Sequence, residues 1–219
     1  MSDFVFVIDE EASASASTGG GSKFGTMETG VYDVTIGTAS ISKTKNGNNV
    51  MDLSIKTDDG HETTIYQAFM MDAKWSSGAD NYGYATWQAF ITTTQMKGMS
   101  VFQKPLVKED GTAISKNGQP IVLSAIKELE GKKVKLAIVK VFDMNKGEPT
   151  EGNEVFASFT TDGASSKEVL SGSASGVVLE KLSTRLSDKK TKTYKAWEAD
   201  AGDELPADLP EAGTEDLGL

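Results

Sequence analysis

The run KKVKLAIVKVFDM, residues 132–144, is the most strand-like in this chain and constrains the fold more than any other part of it. Val134, Leu136, Ile138 and Lys140 fall on one side, with Lys135, Ala137, Val139 and Val141 on the other. A period of two rich in β-branched residues suits a pleated strand and does not gather into one helical stripe. Gly30 to Ile41 repeats the pattern, with Tyr32, Val34 and Ile36 opposed to Asp33 and Thr35. The turn-rich stretch KTKNGNN, Lys43 to Asn49, follows and contains Asn46-Gly47, a strong short-range hairpin signal. Beyond it Met51, Leu53 and Ile55 alternate with Asp52, Ser54 and Lys56, and Asp58-Asp59-Gly60 turns the chain into HETTIYQAFM. Three strands in meander order are expected here.

After Met70 the pattern breaks. WSSGADNYGYATWQAF is irregular and aromatic, and the spacing predicts a short helix over Trp87 to Met96 carrying Trp87, Phe90, Ile91 and Met96. Residues 104–120 read as a loop or an irregular hairpin, and Ile121 to Leu129 as a short strand or a helical turn. The strand at 132–144 is then the fourth. A turn-rich loop over Asn145 to Asn153 leads to a fifth, EVFASFTT. From Ser165 to Trp197 the period changes: Val178, Leu179, Leu182 and Leu186 have helical spacing, and Gly172 and Gly176 limit this stretch to two short helices.

The chain of 219 residues, 38% of them hydrophobic, suits one principal domain with appendages. With no cysteine, it has no disulfides or cysteine-ligated zinc, and a reducing cytoplasm is the expected compartment. No apolar run approaches the roughly 18 residues that span a bilayer, so no membrane association is expected. The apolar run Phe4 to Ile8, followed by Asp9, Glu10 and Glu11, is too short for a signal peptide and reads as a strand or a docking segment.

The net charge of -10 is unevenly placed. Residues 1–22 hold four acids and no Lys or Arg, and residues 198–219 hold eight acids and again no base, which leaves 20 acids against all 22 bases in the body, a balance of +2. The expected organisation is a flexible acidic segment at 1–22 with a Ser/Gly linker, a barrel at 23–162, a basic helical extension at 163–197 and a disordered acidic tail at 198–219. A cluster of bases, Lys181, Arg185, Lys189, Lys190, Lys192 and Lys195, immediately precedes that tail and reads either as a solvated helix face or as a contact for it.

A mainly β chain with three meander strands, a short helical insertion and two further strands matches a five-stranded, partly open barrel whose strand 2 and 3 face binds oligonucleotides. Single-stranded DNA binding requires cations for phosphates and exposed aromatic faces for bases. Lys43 and Lys45 flank the first turn, while Tyr66, Phe69, Trp75, Tyr82, Tyr84 and Trp87 crowd into 22 residues with only two acids, Asp72 and Asp80. Any one of these aromatics is more often core than platform. Trp75, Tyr82 and Tyr84, set among Ser, Gly, Asp and Asn, are expected to be exposed. Lys56 on the second strand and Lys146 in the fourth-to-fifth loop complete the expected DNA-binding set.

The stretch GVYDVTIGTASISKTKNGNNVMDLSIKT resembles the opening hairpin of OB-fold single-stranded DNA-binding proteins of tailed bacteriophages: Gly, aromatic, alternating strand, Ser-Lys, Gly-Asn, then Met-x-Leu. SSKEVLSGSASGVVLEKLSTRLSDKKTKTYKAW is similar to the basic helical extension that follows the barrel in such proteins. The resemblance covers under a third of the chain. It implies that Lys43 and Lys45 lie near a DNA groove, in the cytoplasm of an infected host cell. It also implies that Glu198, Asp200, Asp203, Glu204, Asp208, Glu211, Glu215 and Asp216 recruit replication or recombination proteins. Many such tails end in an aromatic residue, whereas this one ends Asp-Leu-Gly-Leu.

Enzyme chemistry finds little support. His61 is the sole histidine and reads as an exposed turn residue, no GxxxxGK[ST] loop occurs, and no metal or cofactor is expected. Glu130-Gly131-Lys132 resembles a nuclease Glu-x-Lys fragment but suits a turn into a strand better. The competing expectations are a phage structural or assembly protein with a β-barrel interface, its exposed aromatics serving as anchors, and a replisome adaptor acting through the tail alone.

Overall fold

The structure is a computed structural model that describes residues 25–107, 112–145, 148–173 and 176–201. The segment at 1–22 and most of the acidic tail therefore lie outside the described residues. The described chain is mainly β: β1 (Gly30–Lys43), β2 (Asn49–Thr57), β3 (Glu62–Met70), helix α1 (Tyr84–Thr93), β4 (Val101–Pro105), β5 (Ser115–Lys116), β6 (Gln119–Pro120), β7 (Val122–Ile126), β8 (Lys133–Asn145), β9 (Glu148–Phe159), then helices α2 (Ser166–Ser171), α3 (Val177–Glu180) and α4 (Leu182–Ala201).

Seven of these strands form one antiparallel sheet in which β1 is the hub. Its residues Val34 to Lys43 pair with β2 on one edge. The other edge is divided: Gly30 to Thr35 pair with β8, and Ser40 and Ile41 pair with β7. Between them the turn before β8 inserts, with the Ile36 amide donating to the Lys132 carbonyl (2.9 Å) and the Gly131 amide donating to the Ile36 carbonyl (2.8 Å). A register shift at Ile36/Thr38 marks a bulge here, the device by which a long strand bends.

The expected mainly β architecture is found, and the sheet differs from a five-stranded barrel in two ways. A hairpin arm, β4 with β7, adds two strands to the sheet, and the sheet does not close. β3 and β9 approach one another without a backbone ladder, and α1 packs on both. The aromatic wedge of α1 accounts for this. Phe90 stacks on Phe69 of β3 at 4.4 Å, Trp87 lies 6.0 Å from both rings, and the Thr93 hydroxyl reaches the Ser158 hydroxyl of β9 at 2.9 Å.

The main core follows the period of two. Val34 and Ile36 of β1, Met51, Leu53 and Ile55 of β2, and Val134, Leu136 and Ile138 of β8 are all buried. The other face of β8 is buried as well: Ala137 and Val139, with Phe159 of β9, form a second cluster under Leu182 and Leu186 of α4. A strand covered on both faces reads as a nearly continuous apolar run, which is what the sequence of β8 shows.

Of the stretch expected as a loop or an irregular hairpin, residues 112–120 carry a short hairpin, its β5–β6 turn held by Asn117 and Gly118 at φ 54° and 79°, the left-handed pair of a tight hairpin. Residues 122–129 contain both expected conformations, a strand and then one 3-10 turn at Lys127–Leu129. The expected pair of short helices after Ser165 is in fact three, the last of 20 residues. α2 opens with a capping box between Ser165 and Glu168, and the Glu168 carboxylate also accepts the Val178 amide (3.2 Å) at the start of α3. α4 continues through Glu198 to Ala201, so the helix extends past the boundary expected at 197.

Candidate nucleic-acid interface

The β1–β2 turn is built as its sequence predicts. The Gly47 amide bonds back to the Thr44 carbonyl (2.9 Å) with Gly47 at φ 83°, and the Thr44 amide bonds to the Asn48 carbonyl (2.9 Å). Lys43, the last residue of β1, and Lys45, within the turn, are exposed, and neither forms an ion pair among the described residues.

The stretch 71–83, between β3 and α1, is folded onto this turn. The Asp72 carboxylate accepts both the Asn49 amide (2.6 Å) and the Asn49 side-chain amide (2.9 Å). The Ser76 amide donates to the Asn48 side chain (2.9 Å), and the Met71 amide to the Asn49 carbonyl (3.0 Å). Within the stretch, the Trp75 amide and the Ala79 carbonyl close a small loop at 2.8 Å. Asn81, buried, donates from its side chain to the Asp72 carbonyl (2.9 Å) and accepts from the Gly83 amide (3.1 Å). Asn48, Asn49, Asp72 and Asn81 thus tie the aromatic loop to the lysine-bearing turn. Sequence reasoning missed all four as positioning residues. The available signal was a set of Asx residues beside Gly and at element ends, where such side chains substitute for backbone partners.

The expected stacking residues separate on inspection. Tyr82 is 90% and Tyr66 69% exposed. Tyr66 owes this to a bulge: Gln67 takes φ 50° and gives its amide to the Asp52 carboxylate (2.8 Å). Trp75 is half-buried in the folded loop. Tyr84 is also half-buried, packed against the core rather than standing free.

Trp87 must be removed from the set. It is 3% exposed, within the Phe69–Phe90 cluster, because the helix turns that side toward the core. Lys56 is also set apart. It stands near the far end of β2, about 23 Å of extended chain from Asn49, and pairs with Glu62 at 2.6 Å. Lys146 lies outside the described residues.

No family model matches this chain, and no curated protein sequence matches it.

The second basic cluster has a different character. α4 buries Leu182, Leu186 and Trp197 and half-buries Lys189 and Tyr194, so Lys181, Lys190, Lys192 and Lys195 face solvent. Lys189 pairs with Glu154 (3.3 Å), and the Arg185 guanidinium lies over the Phe156 ring at 5.5 Å. Tyr194 packs with Phe142 and Trp197, and burial together with the neighbouring Glu198 carboxylate raises its phenol above the ordinary value. Of the expected partner-binding acids, Glu198 and Asp200 are on α4, and Asp203, Glu204, Asp208, Glu211, Glu215 and Asp216 lie outside the described residues.

The remaining sequence candidates also have places. Glu130 is paired with Lys104 (2.6 Å), and Gly131 sits at φ 75° in the turn into β8. His61 is half-buried rather than exposed, its Nε2 3.1 Å from the Gly25 carbonyl. Among the described residues no group of His, Asp and Glu is arranged to hold a metal, and no helix is long and apolar enough to cross a membrane.

Proposed function

We propose that this protein binds single-stranded DNA with little sequence preference, using the β1–β2 turn, the 71–83 loop and the exposed tyrosines beside them. One observation carries the reading: the Asn48–Asn49–Asp72–Asn81 hydrogen bonds hold an aromatic loop against a turn that bears two lysines without an ion pair among the described residues. Phosphates are neutralised by Lys43 and Lys45, and bases stack on Tyr82, Tyr66 and the accessible part of Trp75. In this reading β1, β2, β3, β8 and β9 are the strands of an OB-like barrel left partly open, α1 is the helix between its third and fourth strands, and the β4–β7 arm is an insertion. The setting is phage DNA replication, recombination or repair. The acidic tail recruits partner proteins and competes with DNA for the cationic surface.

The test is a fluorescence titration with poly-dT, in which Trp75 is the responsive indole because Trp87 and Trp197 are buried. Affinity should fall steeply between about 50 and 300 mM salt as counterions are released, and a flat response would sink the mechanism. Truncation after Ala201 keeps α4 whole while removing the six remaining tail acids. Affinity should then rise most at low ionic strength, and equal affinities there would show that the tail does not visit the binding face.

A second reading, a phage structural or assembly protein, is favoured by the arm. Met99, Val101 and Val122 are about half exposed there, and β4 is an edge strand. An oligomer that binds no oligonucleotide would favour it.

A further inference from the structure

A groove of about 650 Å³ runs between the first residues of β1 and the N-terminal half of α4. Val31, Leu179, Leu182 and Leu186 give it an apolar floor, Ser183 and Ser187 line its helical side, and Lys190 and the ion pair of Lys135 with Asp33 (2.5 Å) stand at its rim. Val31 is 39% exposed here, an apolar side chain on the hub strand with solvent before it. We propose that this groove is the docking site of the chain's own apolar segment Phe4–Ile8.

Sequence, reach and charge each support that occupant. FVFVI is the one run of five consecutive apolar residues in 1–24, and in extended form it presents Phe4, Phe6 and Ile8 to one side. Residues 202–219, the other long segment outside the described chain, have no aromatic residue and no two adjacent aliphatic ones. Five extended residues cover about 17 Å, and Leu182 to Lys190 of α4 offer about 12 Å of helix. The described chain also begins close by, since Thr29 itself lines the groove only four residues after Gly25. The 16 residues from Asp9 to Ser22 and on to Phe24 include Ser13–Ser22, of Ser/Gly linker composition. A coil of that length spans about 20–24 Å on average, a distance suited to folding back from Gly25. The effective concentration of a segment so tethered is of millimolar order. Charge agrees: Asp9, Glu10 and Glu11 follow the apolar run at once, and Lys190 at the rim is exposed to meet them.

The absence of cysteine from the chain gives a clean test. A Val7→Cys/Ser187→Cys protein places one thiol on the segment and one on an exposed residue of the groove wall. Val7→Cys/Ser76→Cys is the control, its second thiol in the 71–83 loop. Mild oxidation should close the first pair within one chain at least about 10-fold faster than the control, as tethering near the groove requires. Adding Phe4→Asp/Phe6→Asp should remove the difference. Amide exchange over Ser183–Lys190 in the cysteine-free chain should be slower than in its Phe4→Asp/Phe6→Asp variant. Equal oxidation rates with unchanged exchange would overturn the proposal. So would cross-links formed only between chains, which assign the groove to a second copy, or faster closure of Leu217→Cys/Ser187→Cys, which assigns it to the tail. None of these readouts involves DNA, so they stand apart from the binding experiment.

Discussion

The β1–β2 turn with its loop and the flank formed by α4 on β8 and β9 use the same residue types for opposite purposes. Both are rich in lysine and aromatic side chains. On the flank, Phe142, Tyr194 and Trp197 pack on one another, Arg185 covers Phe156, and Lys140 is held between Glu28 (3.1 Å) and Glu151 (3.0 Å). At the turn, Tyr82 and Tyr66 stand in solvent and Lys43 and Lys45 form no ion pair among the described residues. An aromatic ring that is already covered and a cation that is already paired have little left to offer a ligand. The difference lies in the partners that the fold supplies, not in composition.

The sharpest break in that comparison runs through the aromatic stretch itself. Trp87→Ala should cost about 3–5 kcal/mol of stability by emptying the Phe69–Phe90 cluster, whereas Tyr82→Ala should stay within about 0.5 kcal/mol. Denaturant melts of the two variants measure both. In oligonucleotide titrations Tyr82→Ala should instead lose about 1–3 kcal/mol of binding. A destabilised Tyr82→Ala that binds normally would place this tyrosine with the core.

Asp72 tests whether the loop is held or merely near. Asp72→Ala removes the acceptor of two Asn49 hydrogen bonds, and a loss of about 1.5–3 kcal/mol is expected for bonds to a charged group. Binding should weaken with it, although Asp72→Ala removes a negative charge and would on electrostatics alone strengthen binding. Tighter binding by this variant would show that the loop needs no anchor.

Lysines sharpen the contrast further. Lys43→Gln/Lys45→Gln should reduce the slope of log affinity against log salt by about 2, near one unit for each phosphate no longer neutralised. Lys192→Gln/Lys195→Gln, on the outer side of α4, should leave the slope nearly unchanged. Equal reductions from the two pairs would mean that the basic helix face takes part in binding.

The smallest effect concerns the flank. Hydrogen bonds from the Ser165 amide and hydroxyl, and then from the Val178 amide, hold the Glu168 carboxyl below its ordinary value. A group depressed in the folded state contributes stability that is full above the unfolded value, about 4.3, and is lost as pH falls through the lowered one. The melting midpoint of Glu168→Gln should therefore lie below that of the parent at neutral pH, with the gap narrowing on acidification. A gap constant from pH 7 to about 3 would show that the carboxylate charge contributes nothing.

Much of this architecture was legible before any coordinates. Periods of two marked β1, β2, β3, β8 and the second half of β9, Asn46-Gly47 marked the first turn, and Leu182 and Leu186 marked the buried side of the last helix, because these signals are local and each residue carries its own preference. The first half of β9, Glu148 to Asn153, reads as loop because its Pro, Gly and Asn are turn formers, yet it pairs with β8. The β4–β7 arm was obscure because its strands are five residues each and half exposed, leaving little periodicity to read. Within the candidate site the sequence supplied Lys43, Lys45, Trp75 and the tyrosines, but it grouped Trp87 with Tyr82 although they face opposite ways. Composition around a ring says whether water is tolerated nearby, not which way a helix turns it.

By itself, then, the sequence determined a mainly β chain, a lysine-bearing Asn-Gly turn, an aromatic stretch and an acidic end, since these depend on residues close together along the chain. Only the tertiary structure decided that β1 divides its second edge between β7 and β8, that α1 packs on both β3 and β9 where no ladder joins them, and that Asp72 reaches Asn49 to fasten the aromatic loop to the turn. Those outcomes join residues far apart along the chain. They are set by which surfaces remain to be covered once the strands have formed, and no local preference encodes that.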